Sequence, residues 1–524
     1  MMIDPAVLSC TVPYKRVLHY WAKSSLFSNP VARWVMLSTG NIPVDRNTHD
    51  NQVLFRGTFD ALAANYAVAL FPEGTSYTEP RIMQVKPGAA WSTLEYTKYL
   101  QDHPGKSITL VPAAIVYTNK AKYRSSIIVE YGTPIDLNEL KKEFMSNDDG
   151  APKHAVRKLT LEVERRLVEM SINAPDWETL FAARTARDIL WTSERNIKLE
   201  HFVEVSQTMI DVFCTPDMKE LDSVKKKLLK YYSLLQSTKL THADLAELPL
   251  PRELDPARGD VPLPSRLTTL SLLVRDTISC AVRLPFFALP LAIHAPAYFL
   301  ARFGARLVEN EEETQAQNKV VFGLILLSIV YPTLFFMLWA AFWLSPAGAI
   351  LAFGLVYGLA QYHTRLIDDQ YAHAKRVVAA WRVLVGVWMP RSWEPAVKPY
   401  EEPVIPPFNP YLDANKTMPL PEPSPRAPRP PRKRLVRHVL RARVECAKAL
   451  QQLFATLHRD PRPLTASPHL AKLYGNGNPT RDSREVLAFL RMRGAVFEAV
   501  VPGESEEWGV LSSDEHEPRS PVDN

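Results

Sequence analysis

The stretch Phe71-Pro72-Glu73-Gly74-Thr75-Ser76 closes an apolar run, and its residue types suit the handling of a polar ligand at a strand end. A glycine lets backbone approach a ligand closely, and a carboxylate can accept from a polyol hydroxyl or anchor an arginine. Arg46 is an arginine upstream of it, able to hold a phosphate through two parallel hydrogen bonds where a lysine cannot.

The elements that must position them read as an α/β domain. Three runs, Tyr66 to Phe71, Ile108 to Tyr117 and Ser126 to Tyr131, are short, apolar and bounded by turn residues such as Pro72, Gly74, Asn119, Gly132 and Pro134. That pattern predicts buried strands, with the motifs on loops at their ends. The domain is expected over 1–140, followed by a helical region over 150–250 rich in Leu, Lys, Glu and Arg.

No charged residue occurs from Val320 to Ala360. As helix this run would extend about 60 Å, twice the thickness of a bilayer core. A two-helix transmembrane hairpin is therefore expected over 319–362, turning near Ser345-Pro346-Ala347-Gly348. The apolar segment 276–305 carries Pro285, Pro290 and Pro296, which predicts an interfacial or re-entrant segment and leaves a third span open. A Pro-rich basic linker (396–434) leads into an amphipathic helix (435–458) that lies either on anionic lipid or against a protein partner. Residues 500–524 form an acidic tail expected to be disordered.

The 524 residues are enough for two or three domains, and much of the formal charge of +6 lies in one C-terminal segment, which points to an anionic surface rather than a uniformly basic protein. Cys10, Cys214, Cys280 and Cys446 are far apart, which argues against a zinc site or a disulfide framework. A hairpin without charged residues offers little from which to build a transport path.

The motif Phe71 to Ser76 resembles the signature of the glycerol-phosphate acyltransferase (PlsC-like) superfamily, and further blocks follow in that family's order. Ile3-Asp4-Pro5 resembles the end of its His-x-x-x-x-Asp motif, whose histidine would fall two places before Met1, so the chain is expected to be N-terminally incomplete. Ala22 to Phe27 with Pro30, Gly40 to Arg46, Val85 to Ala89 and Leu110 to Ala114 resemble the remaining blocks. The likeness covers about residues 3 to 136 and is nearest to fungal membrane-bound glycerol-3-phosphate or dihydroxyacetone-phosphate acyltransferases.

The resemblance implies a mixed sheet flanked by helices, followed by a helical region and membrane helices. It implies acyl transfer from acyl-CoA to the sn-1 hydroxyl of glycerol 3-phosphate, and assigns Asp4 to orient the histidine. Arg46 and Lys86 would hold the phosphate, Glu73, Gly74 and Thr75 would shape the acceptor site, and Pro112 would lie on the acyl-donor side. Acyl-CoA is a co-substrate, and no metal or organic cofactor is implied. The lipid bilayer is the expected partner and nucleic acid is not. The location implied is multi-pass in an endomembrane such as the endoplasmic reticulum, with the acyltransferase domain cytosolic.

Plainer readings exist for each residue: Asp4 as a helix cap, Arg46 as a surface charge, Glu73 as structural, Lys86 as a loop lysine, Pro112 as strand-edge packing. None of His19, His49 and His103 lies five residues before an aspartate, so none fits as a substitute base. Alternative functions are acylation of 1-acylglycerol 3-phosphate and a catalytically dead lipid-binding pseudoenzyme; as given, the chain is expected to lack turnover.

Overall fold

The computed structural model describes residues 3–44, 51–74, 77–101, 103, 106–119, 125–191, 197–245, 264–307, 312–390, 396–405, 432–474 and 479–496. They fall into two compact units, Met1–Asn173 with Phe303–Val321, and the rest of the chain from Ala174 onward. Of the expected segments, the tail 500–524 and most of the linker 396–434 lie outside the described residues.

In the first unit, α1 (Ile3–Thr11) precedes β1 (Leu18–Lys23), α2 (Pro30–Ser38), β2 (Ile42–Val44), α3 (Asn51–Ala63) and β3 (Ala67–Ala69). Then follow α4 (Gly88–Tyr99), β4 (Ala113–Tyr117), β5 (Ile127–Tyr131), α5 (Asn138–Phe144) and α6 (Ala151–Glu169). Strands β1, β2 and β3 are parallel in the order β2-β1-β3, while β4 and β5 form an antiparallel ladder of their own. The single mixed sheet expected from the sequence is thus two separate ladders among the described residues. Only Ala67–Ala69 of the run 66–71 pairs, because Pro72 has no N–H to offer and the chain turns there.

Parallel pairing has a consequence for the site. It aligns Trp21 with Ile42 and Tyr20 with Ala69, so β2 and β3 leave the sheet at the same edge, the carboxyl-terminal one. In open parallel sheets this is the edge where ligands bind. Helix α3 packs on β2 and β3 and buries Phe55, which stacks on Trp21 with ring centroids 5.7 Å apart. Trp21 Nε1 also donates to Thr58 Oγ1 at 2.8 Å.

The unit does not end near residue 140 as expected. Ala90 and Leu94 on α4 pack in one cluster with Val156, Leu159 and Val163 on α6. Exposing Leu94 alone would cost about 2 kcal/mol, so α6 belongs to this core.

The second unit begins with α7 (Trp177–Leu190), α8 (Phe202–Phe213), α9 (Lys219–Thr238) and α10 (His242–Leu245). After α11 (Arg266–Arg306), α12 (Glu312–Ala341) and α13 (Pro346–Trp388) come α14 (Val436–Arg459), β6 (Pro463–Thr465), α15 (Pro468–Tyr474), β7 (Thr480–Asp482) and α16 (Ser483–Met492). The amphipathic helix α14 packs along α9 and buries Val439, Leu450, Leu453 and Leu457. Its apolar stripe is therefore covered by protein rather than lipid. Arg437, at its start, is buried because Nη2 donates to the carbonyls of Val387, at 2.7 Å, and Met389 at the end of α13.

Two helical stretches, Arg266–Arg306 and Gln317–Ala341, are long and apolar enough to cross a membrane, and their apolar windows are only 17% and 0% buried, unlike core helices. The expected interfacial or re-entrant segment 276–305 is instead continuous helix through all three prolines. Pro290 cannot bond the carbonyl of Phe286, four residues back, and Tyr362 Oη donates to that carbonyl instead, at 3.1 Å. Helix α12 gives way to α13 through a turn at Phe342–Ser345, close to the turn expected from sequence, but α13 is not among the helices apolar enough to cross a membrane.

Asp211, buried on α8, accepts from Gln207 Nε2 through Oδ1 at 2.9 Å, while Oδ2 has no hydrogen-bond partner. Burial pushes its carboxyl from 3.8 up to about 6. The folded protein thus holds a proton that the unfolded chain releases, so this group favours folding below pH 3.8 and loses that contribution as the pH rises through 6. Replacing Asp211 by Asn should raise stability at pH 7 by about 2–3 kcal/mol and flatten the decline between those pH values, as read by thermal unfolding across pH.

Candidate functional site

Glu73 and Gly74 leave the carboxyl end of β3 in a tight turn, with the Gly74 N–H donating to Phe71 O at 3.2 Å. Gly74 has φ +74°, in the left-handed region where a side chain is strained. A Cβ there would also stand 2.8 Å from Cδ and Cε of Lys86 and 3.1 Å from Nζ. The lysine side chain therefore lies along the bare glycine backbone. Only glycine permits that approach together with that φ.

The segment after the motif folds back to hold this arrangement. The Lys86 N–H donates to Pro72 O at 2.8 Å, Gln84 Nε2 to Glu73 O at 2.9 Å, and the Met83 N–H to Tyr77 Oη at 3.0 Å. Tyr77 in turn hydrogen-bonds the Glu73 side chain, and burial together with that carboxylate pushes its phenol above the ordinary value of 10. Lys86 stands just ahead of α4, whose amino-terminal end carries positive partial charge. Glu73, Gly74 and Lys86, singled out separately from sequence, thus form one constellation.

Asp4 sits in the first turn of α1, where it accepts a hydrogen bond from Tyr117 Oη at the end of β4. Burial first, then the Asp4 carboxylate, pushes the Tyr117 phenol upward. Tyr20 Oη on β1 donates to Pro5 O at 2.8 Å and lies 2.7 Å from Ser9 Oγ, and its ring stacks on Phe71 at 6.4 Å. One tyrosine therefore touches both the helix that carries Asp4 and the first residue of the motif.

Pro112 lies elsewhere in the unit's hydrogen bonding. Its carbonyl accepts from the Gly132 N–H at 2.9 Å, and a Cβ on Gly132 would meet its ring at 2.9 Å, so it serves the pairing of β4 with β5. Arg46 and Thr75 lie outside the described residues. So does His49, whereas the His19 ring packs on Tyr66, with centroids 4.8 Å apart, and against Gly40, where a Cβ would come within 2.9 Å of Nδ1. His19 thus fills space beside the sheet, and Gly40, with φ +78°, is needed for its fit. Among the described residues no group of three or more His, Cys, Asp or Glu could hold a metal ion.

The partners Tyr117, Tyr77 and Tyr20 were not singled out from sequence. Tyr117 ends a run readable as a strand, but it lies 113 residues from Asp4, a separation that no motif spacing encodes.

Residues 1–116 match the Acyltransferase family pattern. The chain is 24% identical over 325 residues to glycerol-3-phosphate O-acyltransferase 2 of Saccharomyces cerevisiae, covering 60% of this chain and 43% of that protein. It is 27% identical over 191 residues to glycerol-3-phosphate O-acyltransferase 1 of the same yeast, covering 36% and 24%. An uncharacterized acyltransferase of Schizosaccharomyces pombe is 26% identical over 149 residues, covering 28% and 21%. These matches span less than half the length of the relatives, and no solved structure matches the chain. The family pattern falls on the residues that carry Asp4, Glu73, Gly74 and Lys86, and these matches support a relation to the glycerol-phosphate acyltransferases.

Proposed function

We propose that the protein transfers a fatty acyl group from acyl-CoA to the sn-1 hydroxyl of glycerol 3-phosphate, and that dihydroxyacetone phosphate is a second acceptor. The observation that carries this reading is the packing of Lys86 along Gly74, beside Glu73, at the ligand-binding edge of the parallel sheet. A lysine against the glycine and a glutamate beside that glycine suit a phosphate and a hydroxyl on one small acceptor. The names of the two yeast relatives point to the same acceptor.

In the reaction the acceptor oxygen attacks the thioester carbonyl, an oxyester bond forms, and the carbon–sulfur bond breaks to release coenzyme A, which leaves with the proton. In the family motif that the segment around Asp4 resembles, a histidine five residues ahead of the aspartate is the base that moves this proton. Asp4, itself positioned by Tyr117, orients that base. Lys86, with Arg46, neutralises the phosphate, while Glu73 accepts from an acceptor hydroxyl. The thioester supplies its own leaving group, so the reading needs no cofactor. The two helices long and apolar enough to span a bilayer support membrane attachment, which suits a lipid acyl donor and a lipid product; the location proposed is the cytosolic side of an endomembrane.

The test uses protein isolated from its native membranes, assayed with acyl-CoA and either glycerol 3-phosphate or 1-acylglycerol 3-phosphate. Turnover of glycerol 3-phosphate is expected; turnover of the lysophospholipid alone would overturn the assignment. Lys86→Ala should raise the KM for the phosphorylated acceptor about tenfold or more, the worth of a charge-assisted hydrogen bond, with a smaller effect on kcat. Asp4→Asn should instead lower kcat by about 100-fold or more with KM little changed. Gly74→Ala is expected to displace the Lys86 side chain and to reproduce the KM defect, since the strained φ disturbs the turn even if the lysine moves aside.

A further inference from the structure

Helix α2 connects two parallel strands, a place where a helix normally covers the sheet, yet none of its nine residues is buried. Its counterpart α3 packs on β2 and β3 with Phe55, Thr58 and Ala61 buried. The sequence of α2 is nonetheless apolar: Val31, Trp34 and Val35 form a stripe at three- and four-residue spacing, and Val31 and Trp34 are each 71% exposed. Leu26, in the preceding turn, and Leu37 are exposed as well. A patch of this kind marks an interaction site.

Local sequence alone builds the helix. Asn29 Oδ1 accepts from the N–H groups of Val31, at 2.9 Å, and Ala32, at 3.3 Å, and Pro30 occupies the first turn. At the other end Gly40, with φ +78°, donates to Leu37 O at 3.0 Å, and the Asn41 N–H donates to Met36 O at 2.9 Å. A helix this short is marginal in water even when capped, so its apolar stripe needs a partner that the described residues of the unit do not supply.

Charge identifies that partner. Between Asp4 and Asp45 the chain has four basic residues, Lys15, Arg16, Lys23 and Arg33, and no acidic one. All four are exposed, and Lys23 and Arg33 lie beside or within the apolar stretch. A tryptophan with aliphatic neighbours, set among exposed cations, is the composition of a helix lying in the interface of an anionic bilayer.

We propose that α2 and the turn before it are a docking face for an anionic lipid bilayer, with Val31, Trp34 and Val35 at the acyl-chain boundary and Lys23 and Arg33 against the headgroups. This attachment is separate from the two apolar helices and does not depend on which acceptor the site takes.

The test places the full chain in vesicles of phosphatidylcholine, with or without phosphatidylserine, that contain a phosphatidylcholine bearing a diazirine in its acyl chain. After illumination, lipid adducts are mapped by mass spectrometry, with the α12 peptide as internal reference. Adducts on the peptide spanning Leu26 to Leu37 are expected, increasing several-fold with phosphatidylserine. Trp34→Glu should remove most of them and Trp34→Phe should keep them; both changes fall at an exposed position and leave the fold intact. Replacing Lys23 and Arg33 by Gln should lower labelling in phosphatidylserine vesicles, by about fivefold for each charge that sits at the surface. Three results would each overturn the proposal: no adducts on this peptide where α12 is labelled, labelling indifferent to phosphatidylserine, or labelling that appears only when the protein is diluted, which would show a second copy covering the face.

Discussion

The acyltransferase unit depends on tyrosine hydroxyls that hold a short helix against two separate ladders. Helix α1 buries only Leu8, far too little apolar surface to fix its position by packing. Tyr20 of the parallel sheet reaches Pro5 and Ser9, while Tyr117 and Tyr131 of the antiparallel ladder reach Asp4 and Thr11, the last pair at 3.2 Å. The aspartate is thereby given a defined place, and the Tyr20 ring carries that definition to Phe71. Burial raises the phenols of Tyr20 and Tyr117, so both stay protonated and able to donate.

Around this joint the site is built from backbone constraints rather than bulk. Gly74 has a left-handed φ and touches Lys86; Gly40 has a left-handed φ and touches His19. In both places the missing side chain makes room for a cation or a ring. The core lies elsewhere, between α4 and α6, so the binding edge can stay polar while the apolar cluster supplies the stability.

The helical unit solves a different problem, the satisfaction of polar groups in long apolar helices. His294 on α11 lies 2.7 Å from Pro290 O through Nδ1 and 2.9 Å from Tyr331 Oη on α12 through Nε2, which fits a ring that donates from Nδ1 and accepts at Nε2. Its ring stacks on His363 of α13 at 3.7 Å, and His363 Nε2 is 2.7 Å from Tyr298 Oη. With Tyr362 meeting the carbonyl that Pro290 leaves unbonded, these contacts tie α11 to α12 and α13 by specific hydrogen bonds where apolar packing alone would allow sliding.

By itself the sequence determined what depends on a few neighbouring residues. The turn at Gly74, the strands ending at Tyr117 and Tyr131, the helical character of the middle region and the turn near Ser345 all follow from local chirality, hydrogen-bonding capacity and periodicity. The block pattern likewise selected Asp4, Glu73, Gly74 and Lys86. Tertiary structure decided the partners: which tyrosine holds Asp4, that α9 covers the stripe on α14, that α6 completes the core of the first unit, and that a distant hydroxyl lets α11 run through its prolines. These pairings join residues far apart in the chain, and whether a polar or apolar group is satisfied depends on what the fold brings to it, which no local pattern records.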